Sequence, residues 1–471
     1  MIFNSLVFVV FFAIVLILHS MPFSWRVKKI NLLIASYIFY AAWNPPFVIL
    51  LWLSTVVDWF AARGLAAAEN PWKRRAWMMV SIVVSLGLLC YFKYGHFLLD
   101  NFAHMVSMAG FKYSPPKSSI ILPIGISFYT FATMSYTLDI YLRRSAPARN
   151  FLDYALFVTF FPHLVAGPIM RPTELVPQFE VPHQATASQM RFGLALMTLG
   201  LFEKSVLADG FLGPVVDLVY NGRSAPGFID AWMGTLAFSG QIFCDFAGYS
   251  ITAIGAALCL GFALSDNFRF PYAAIGFTDF WRRWHITLSA WLRDYVYIPM
   301  GGNKRGNART YFSLMATMLI GGLWHGASWT FVVWGGLHGL YLSVERMLRK
   351  PFRGYHPGPI AGAALGLLTF LFVNIAWVFF RAKTFPQAIV ILRGMFGRNH
   401  HAEPILAAIY LITTTLIIGG LLLAHSLMRN KTLEMAIARL HPATLTALWT
   451  IMAFAVVIQH GESNGFIYFQ F

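Results

Sequence analysis

Charge is scarce in this sequence. Only 11% of its 471 residues are Asp, Glu, Lys or Arg, and just 19 of them are acidic. A soluble globular domain carries about a quarter charged residues, so a water-soluble fold is excluded. Cysteine is scarcer still: Cys90, Cys244 and Cys259 stand apart within apolar segments, which argues against a disulfide framework or a zinc site. Also missing are a G-x-S-x-G elbow, a P-loop, a dinucleotide-binding glycine pattern, an internal repeat and any low-complexity tract. What is present is 58% hydrophobic, with 17% aromatics. That is the balance of an all-α polytopic membrane protein, its aromatics divided between interfacial belts and a packed interior. A net charge of +16 then belongs to cytoplasmic loops and lipid headgroups, and no nucleic-acid partner is expected.

Apolar runs at Leu6–Leu18, Asn31–Trp43, Phe47–Ala62, Trp77–Tyr94 and Ile120–Leu142 read as early spans, with basic loops at Arg26–Lys29, Arg63–Arg75 and Arg143–Arg149. The absence of a basic flank or cleavage signal makes the first a retained helix. The middle is interrupted: Phe151–Ala166 breaks at Pro162, and Met190–Leu207, Ala231–Phe243 and Thr252–Phe262 are separated by Asp209, Asp217 and Asp245. Tyr311–Val344 is one long apolar stretch interrupted by Gly321-Gly322 and by Trp324-His325-Gly326, and Ile360–Phe380, Ile405–Leu427 and Thr444–Ile458 close the chain. At about 20 apolar residues per crossing this gives roughly 11 or 12 spans, plus re-entrant and interfacial helices. Loop charges place the C-terminus outside, and leave Arg381–Arg398 as an outer basic segment or amphipathic lid. The chain reads as a single integral-membrane domain, with N-terminal helices over 1–150, a core over 151–350 and C-terminal helices with a tail over 351–471.

Thr278–Tyr295 is too polar and too aromatic for an ordinary span. As one helix capped by Thr278 or Asp279 and ended by Pro299 and Gly301-Gly302, it sets Phe280, Trp284, Thr287, Trp291 and Tyr295 on one face. Arg282, His285, Ser289 and Arg293 take the other. Such a helix lies along a membrane interface or a polar cavity.

His325 is the leading reactive candidate. It stands in Gly321-Gly322-Leu323-Trp324-His325-Gly326, deep in an apolar stretch, where an ionisable side chain suggests function. Burial disfavours imidazolium, so the ring should be neutral and able to take a proton. On a continuous helix, His338 faces nearly away from His325 and reads as packing. Asp139, Asp245 and Glu203 read as helix-pairing carboxylates, Glu203 with Lys204 or an arginine. A buried base beside arginines fits acyl transfer to a hydroxyl.

Five segments carry a family resemblance: Leu122–Tyr129, Phe161–Pro168, Asp245–Ser250, Asp279–Gly302 and Gly321–Gly326. With them the chain resembles the membrane-bound O-acyltransferase (MBOAT) superfamily, in the branch of bacterial polysaccharide O-acetyltransferases that includes alginate O-acetylation proteins. The resemblance implies an MBOAT fold around a central tunnel in the bacterial inner membrane. It implies that His325 is the general base and His285 its partner in orienting substrate or stabilising charge, with Arg282, Ser289, Arg293 and Trp324 as substrate- or donor-binding candidates. The final residues Phe466–Phe471 resemble a C-terminal Phe-x-Tyr-x-x-Phe motif of the branch, which implies an acyl relay through Tyr468.

The expected donor is acetyl-CoA or another acyl thioester, with no metal. The expected partners are a periplasmic acetyltransferase, a polysaccharide synthase complex and membrane lipid. The expected acceptor is cellulose or alginate exopolysaccharide ahead of peptidoglycan. The competing readings are a transporter or flippase, against which the missing repeat speaks, and a non-enzymatic scaffold of a synthase complex.

Overall fold

The computed structural model describes residues 1–115, 120–349, 351, 357–437 and 440–459, and among them every regular element is helical. Among the described residues, five helices are long and apolar enough to cross a membrane: Pro45–Ala67, Pro71–Met108, Phe228–Cys259, Pro359–Arg381 and Ala408–Met428. Leu6–Ser20, Phe385–Met395 and Pro442–Ile458 are shorter apolar helices. The described chain packs as two units, Met1–Met197 with Thr252–Ser265, and Thr198–Ile251 with Asp266–Phe471.

In the first unit the helix Trp25–Ala41 begins earlier than its apolar run suggests. Arg26, Lys28 and Lys29, expected in a loop, lie in its opening turns, with both lysines buried. The reason is Asp153, which pairs with Lys29 and is itself hydrogen-bonded by Asn150. A charge neutralised in this way need not stay in water. The expected Ile120–Leu142 span shortens to the helix Ile126–Tyr141. Gly125 precedes it at a φ of 78°, and a Cβ there would stand 3.0 Å from the Leu164 carbonyl. The chain breaks between Phe151–Thr159 and Phe161–Leu164, next to Pro162, as its sequence indicates.

In the second unit, the segment Ala231–Phe243 proves to share one 32-residue helix, Phe228–Cys259, with most of Thr252–Phe262, and that helix contributes residues up to Ile251 here. Asp245 does not interrupt it, because Lys204 pairs with Asp245 and, at 2.8 Å, with Asp209. Lys204 therefore turns to two aspartates rather than to Glu203. Arg381 pairs with Asp217 at 2.9 Å, and Phe385–Met395 forms a helix capped by Thr384, with Ala388, Ile391 and Met395 turned inward.

The stretch Tyr311–Val344 divides into Gly306–His325 and Trp329–Arg349, two helices packed face to face. A Cβ on Gly335 would meet the Met318 carbonyl oxygen at 2.3 Å, whereas one on Gly336 would meet only Leu319 Cδ2 at 3.6 Å. Backbone cannot yield as a side-chain tip can. Gly335→Ala is therefore expected to lose about 1–3 kcal/mol of stability, the scale of overpacking. Gly336→Ala should unfold with the parent, and thermal unfolding of the two variants in detergent checks the pair.

Candidate active site

The site lies in the second unit and begins with a helix that does not form. Thr278–Tyr295 is divided into Phe277–Trp281 and Ile286–Leu292, followed by a wider turn at Arg293–Tyr297. The cause is the segment at Asn267–Arg269, which bonds the chain where the helix would continue. Arg269 N–H donates to the Arg283 carbonyl, and Ile286 N–H donates to the Asn267 carbonyl, each at 2.9 Å. Between these bonds His285 sits at φ 43° and ψ 55°, a left-handed conformation that is uncommon outside glycine and asparagine.

This break changes which way the residues face. Phe280, Trp284, Thr287 and Trp291 are buried, but so is His285, which the continuous helix set on the polar side. Arg282 and Arg293 are exposed, the latter paired with Asp294 at 2.8 Å. Ser289 is half-buried and donates to the Trp284 carbonyl at 3.3 Å. The expected cap by Thr278 or Asp279 is absent. Glu345 instead accepts from Thr278 N–H at 2.8 Å.

Asp279 fastens the short helix from its other side. It accepts from Arg283 at 2.8 Å, from Arg429 at 2.8 Å and from Ile275 N–H at 3.0 Å. Burial works against its carboxylate, but the Ile275 amide and the two guanidinium groups outweigh it and hold the acid below its ordinary range.

The other half of the site comes from the end of Gly306–His325. The helix stops at His325 because Gly326 is extended, and a Cβ on Gly326 would collide with the Phe331 ring at 2.1 Å. His325 is 2% exposed. Its ring lies edge-on to Trp334 at 4.9 Å, with Trp324 at 5.0 Å and Phe380 at 5.3 Å. The His285 ring centre is 6.3 Å away, and Trp324 stands beside both imidazoles. His285 packs edge-on to Phe246 at 4.6 Å and bonds Asn267 Oδ1 through Nδ1 at 3.0 Å. It lies outside the five candidate spans, and full burial presses its pKa below the ordinary imidazole value.

Of the residues singled out in the sequence, the fold joins His285, His325 and Trp324, and leaves Arg282 and Arg293 on the exposed side. Tyr468 lies outside the described residues. His338 is closer to the site than a continuous helix would put it. The chain turns between His325 and Trp329, so Trp334 touches both His325 and His338, each at 4.9 Å. Asn267 escaped the sequence reading. Its only signal is a polar residue in a short non-helical run ahead of Phe268-Arg269-Phe270-Pro271.

Two imidazoles at this spacing can share the work at a small reacting group, one taking a proton and the other holding developing charge. The fold is that of a multi-pass helical membrane protein, and its candidate site is built on a buried histidine pair. Residues 143–385 match the family described as MBOAT, membrane-bound O-acyltransferase family. The chain is 41% identical over 374 residues to the probable alginate O-acetylase AlgI of Azotobacter vinelandii, covering 79% of this chain and 73% of that protein. It is 40% identical over 400 residues to the protein of the same name from Pseudomonas aeruginosa, covering 84% and 75%. It is 39% identical over 400 residues to the peptidoglycan O-acetyltransferase of Helicobacter pylori, covering 79% and 74%. The chain belongs to the membrane-bound O-acyltransferase family, and it is an O-acyltransferase.

Proposed function

We propose that this enzyme works in the bacterial inner membrane, moving acetyl from a cytoplasmic thioester, acetyl-CoA or another acyl thioester, to the hydroxyl of an extracytoplasmic polysaccharide. The observation that carries the reading is the pair of buried imidazoles with ring centres 6.3 Å apart. The relatives' names supply the acceptor class: two are named probable alginate O-acetylases and one a peptidoglycan O-acetyltransferase. Alginate is therefore the first acceptor to test, with cellulose and peptidoglycan behind it.

In the step itself His325 takes the hydroxyl proton as oxygen attacks the thioester carbon. The C–O bond forms, the C–S bond breaks, and the proton passes to the departing thiolate. The Trp324 N–H steadies the oxyanion, and His285 orients the substrate hydroxyl. Arg282 and Arg293, exposed, and Ser289 are assigned to the donor, whose phosphates suit guanidinium groups. The hydroxyl that attacks first is that of Tyr468, whose ester a periplasmic acetyltransferase of the same pathway then passes to polymer made by a synthase complex. Deleting the gene should remove base-labile acetate from the secreted polymer while polymer yield stays. Unchanged acetate would overturn the reading, and lost export would favour a flippase. Tyr468→Phe should match the deletion if the relay operates, and full acetylation in that variant would remove the relay alone.

A further inference from the structure

We propose that Asn267 is a positioning residue that fixes the tautomer of His285, so that Nε2 of that ring is its proton-accepting atom. The inference rests on the acyl-transfer reading above and deepens it. It starts from Thr287, whose backbone N–H can only donate and does so to Asn267 Oδ1 at 3.4 Å. Thr287 Oγ1 donates to the same oxygen at 2.9 Å, and Asn267 Nδ2 turns the other way to Ser250 Oγ at 3.2 Å. The amide orientation is thus set by a group with no choice of role. Asn267 Oδ1 can only accept, so His285 Nδ1, 3.0 Å away, must carry the hydrogen. In a neutral imidazole the lone pair then belongs to Nε2.

The backbone reinforces the arrangement. The Asn267 carbonyl accepts from Ile286 N–H at 2.9 Å, and with the Oδ1 contacts this holds His285 at φ 43°. Asn267 is 1% exposed, so water offers little competition for its oxygen. Rings packed against His285 include Phe246, Phe268, Trp324 and the titratable His325. The chemical consequence is that His285 joins the reaction as a hydrogen-bond acceptor, turning the attacking hydroxyl for deprotonation by His325. It can donate from Nε2 only after it has been protonated.

Two substitutions separate this role from plain packing. Asn267→Leu keeps the bulk and removes the acceptor. Asn267→Asp keeps the acceptor and adds a negative charge that favours imidazolium. The assay follows thiol release from acetyl-CoA by the purified full chain in liposomes, across pH, with thermal unfolding measured alongside. Asn267→Leu should lower the single-turnover rate constant roughly tenfold to hundredfold with little change in the acetyl-CoA concentration giving half-maximal rate, the scale on which losing an orienting partner is felt. Asn267→Asp should retain far more activity than the leucine variant and move the acidic limb of its pH profile upward, because the base now protonates at higher pH. An aspartate profile superimposable on the parent's, or a leucine variant whose loss follows lowered unfolding temperature alone, overturns the assignment. His325→Ala and His285→Ala, run in the same assay, keep the two ideas apart. If both retain full activity the acyl-transfer reading fails with its dependent, whereas if both are inactive and the aspartate profile is unmoved only the role of Asn267 falls.

Discussion

Replacing His325 with alanine is expected to cut acyl transfer about 100- to 10,000-fold, the contribution of a positioned general base. The ring is 2% exposed and packed against Trp324, Trp334 and Phe380. Truncation also leaves a cavity, and some stability goes with it. His325→Gln, which retains bulk and polarity but no comparable basicity, is the necessary companion. Both variants should be inactive while glutamine unfolds closer to the parent. In cells, secreted polymer should lose its acetate and keep its yield. A silent alanine variant would favour a scaffold, and lost export would favour a flippase.

The second large effect concerns stability. Lys204 Nζ lies between the carboxylates of Asp209 and Asp245, and all three side chains are less than a tenth exposed. Lys204→Met leaves two buried aspartates facing each other without their cation. Breaking a buried pair in this way costs about 3–5 kcal/mol, because the abandoned charge has no water to turn to. Adding Asp209→Asn and Asp245→Asn removes the charges as well, and the triple variant should recover most of the loss. Thermal unfolding in detergent reads both results. A single variant within about 0.5 kcal/mol of the parent, the range of an ordinary surface substitution, would show the triad to be unimportant to the fold.

The histidines could be read from the sequence because each is an ionisable residue in an apolar, glycine- or tryptophan-rich setting. How they meet could not. Helical periodicity carried Thr278–Tyr295 through as one helix, since nothing within that stretch signals a break. The break comes from Asn267 and Arg269, whose backbone groups take over hydrogen bonds at Arg283 and Ile286. Local pattern lost to a tertiary contact, and His285 moved from the polar face into the core. The same blindness divided Phe228–Cys259 at Asp245, because the compensating Lys204 is 41 positions earlier in the chain and invisible to any window. Proline and glycine breaks were easier, as at Phe160–Pro162 and Gly326, because they act on their own backbone. Trp334, which joins His325 to His338, follows from the turn after Gly326 and from no periodic rule.

The central claim is that a buried imidazole serves as the base when an acyl group leaves its thioester. Its most direct test is a single-turnover measurement of thiol release from acetyl-CoA by the purified chain in liposomes, comparing the parent with His325→Ala at equal folded concentration. The account predicts release by the parent, with a matching amount of acetyl ester formed, and a rate at least about a hundredfold lower without the imidazole. Equal rates from the two proteins would contradict it.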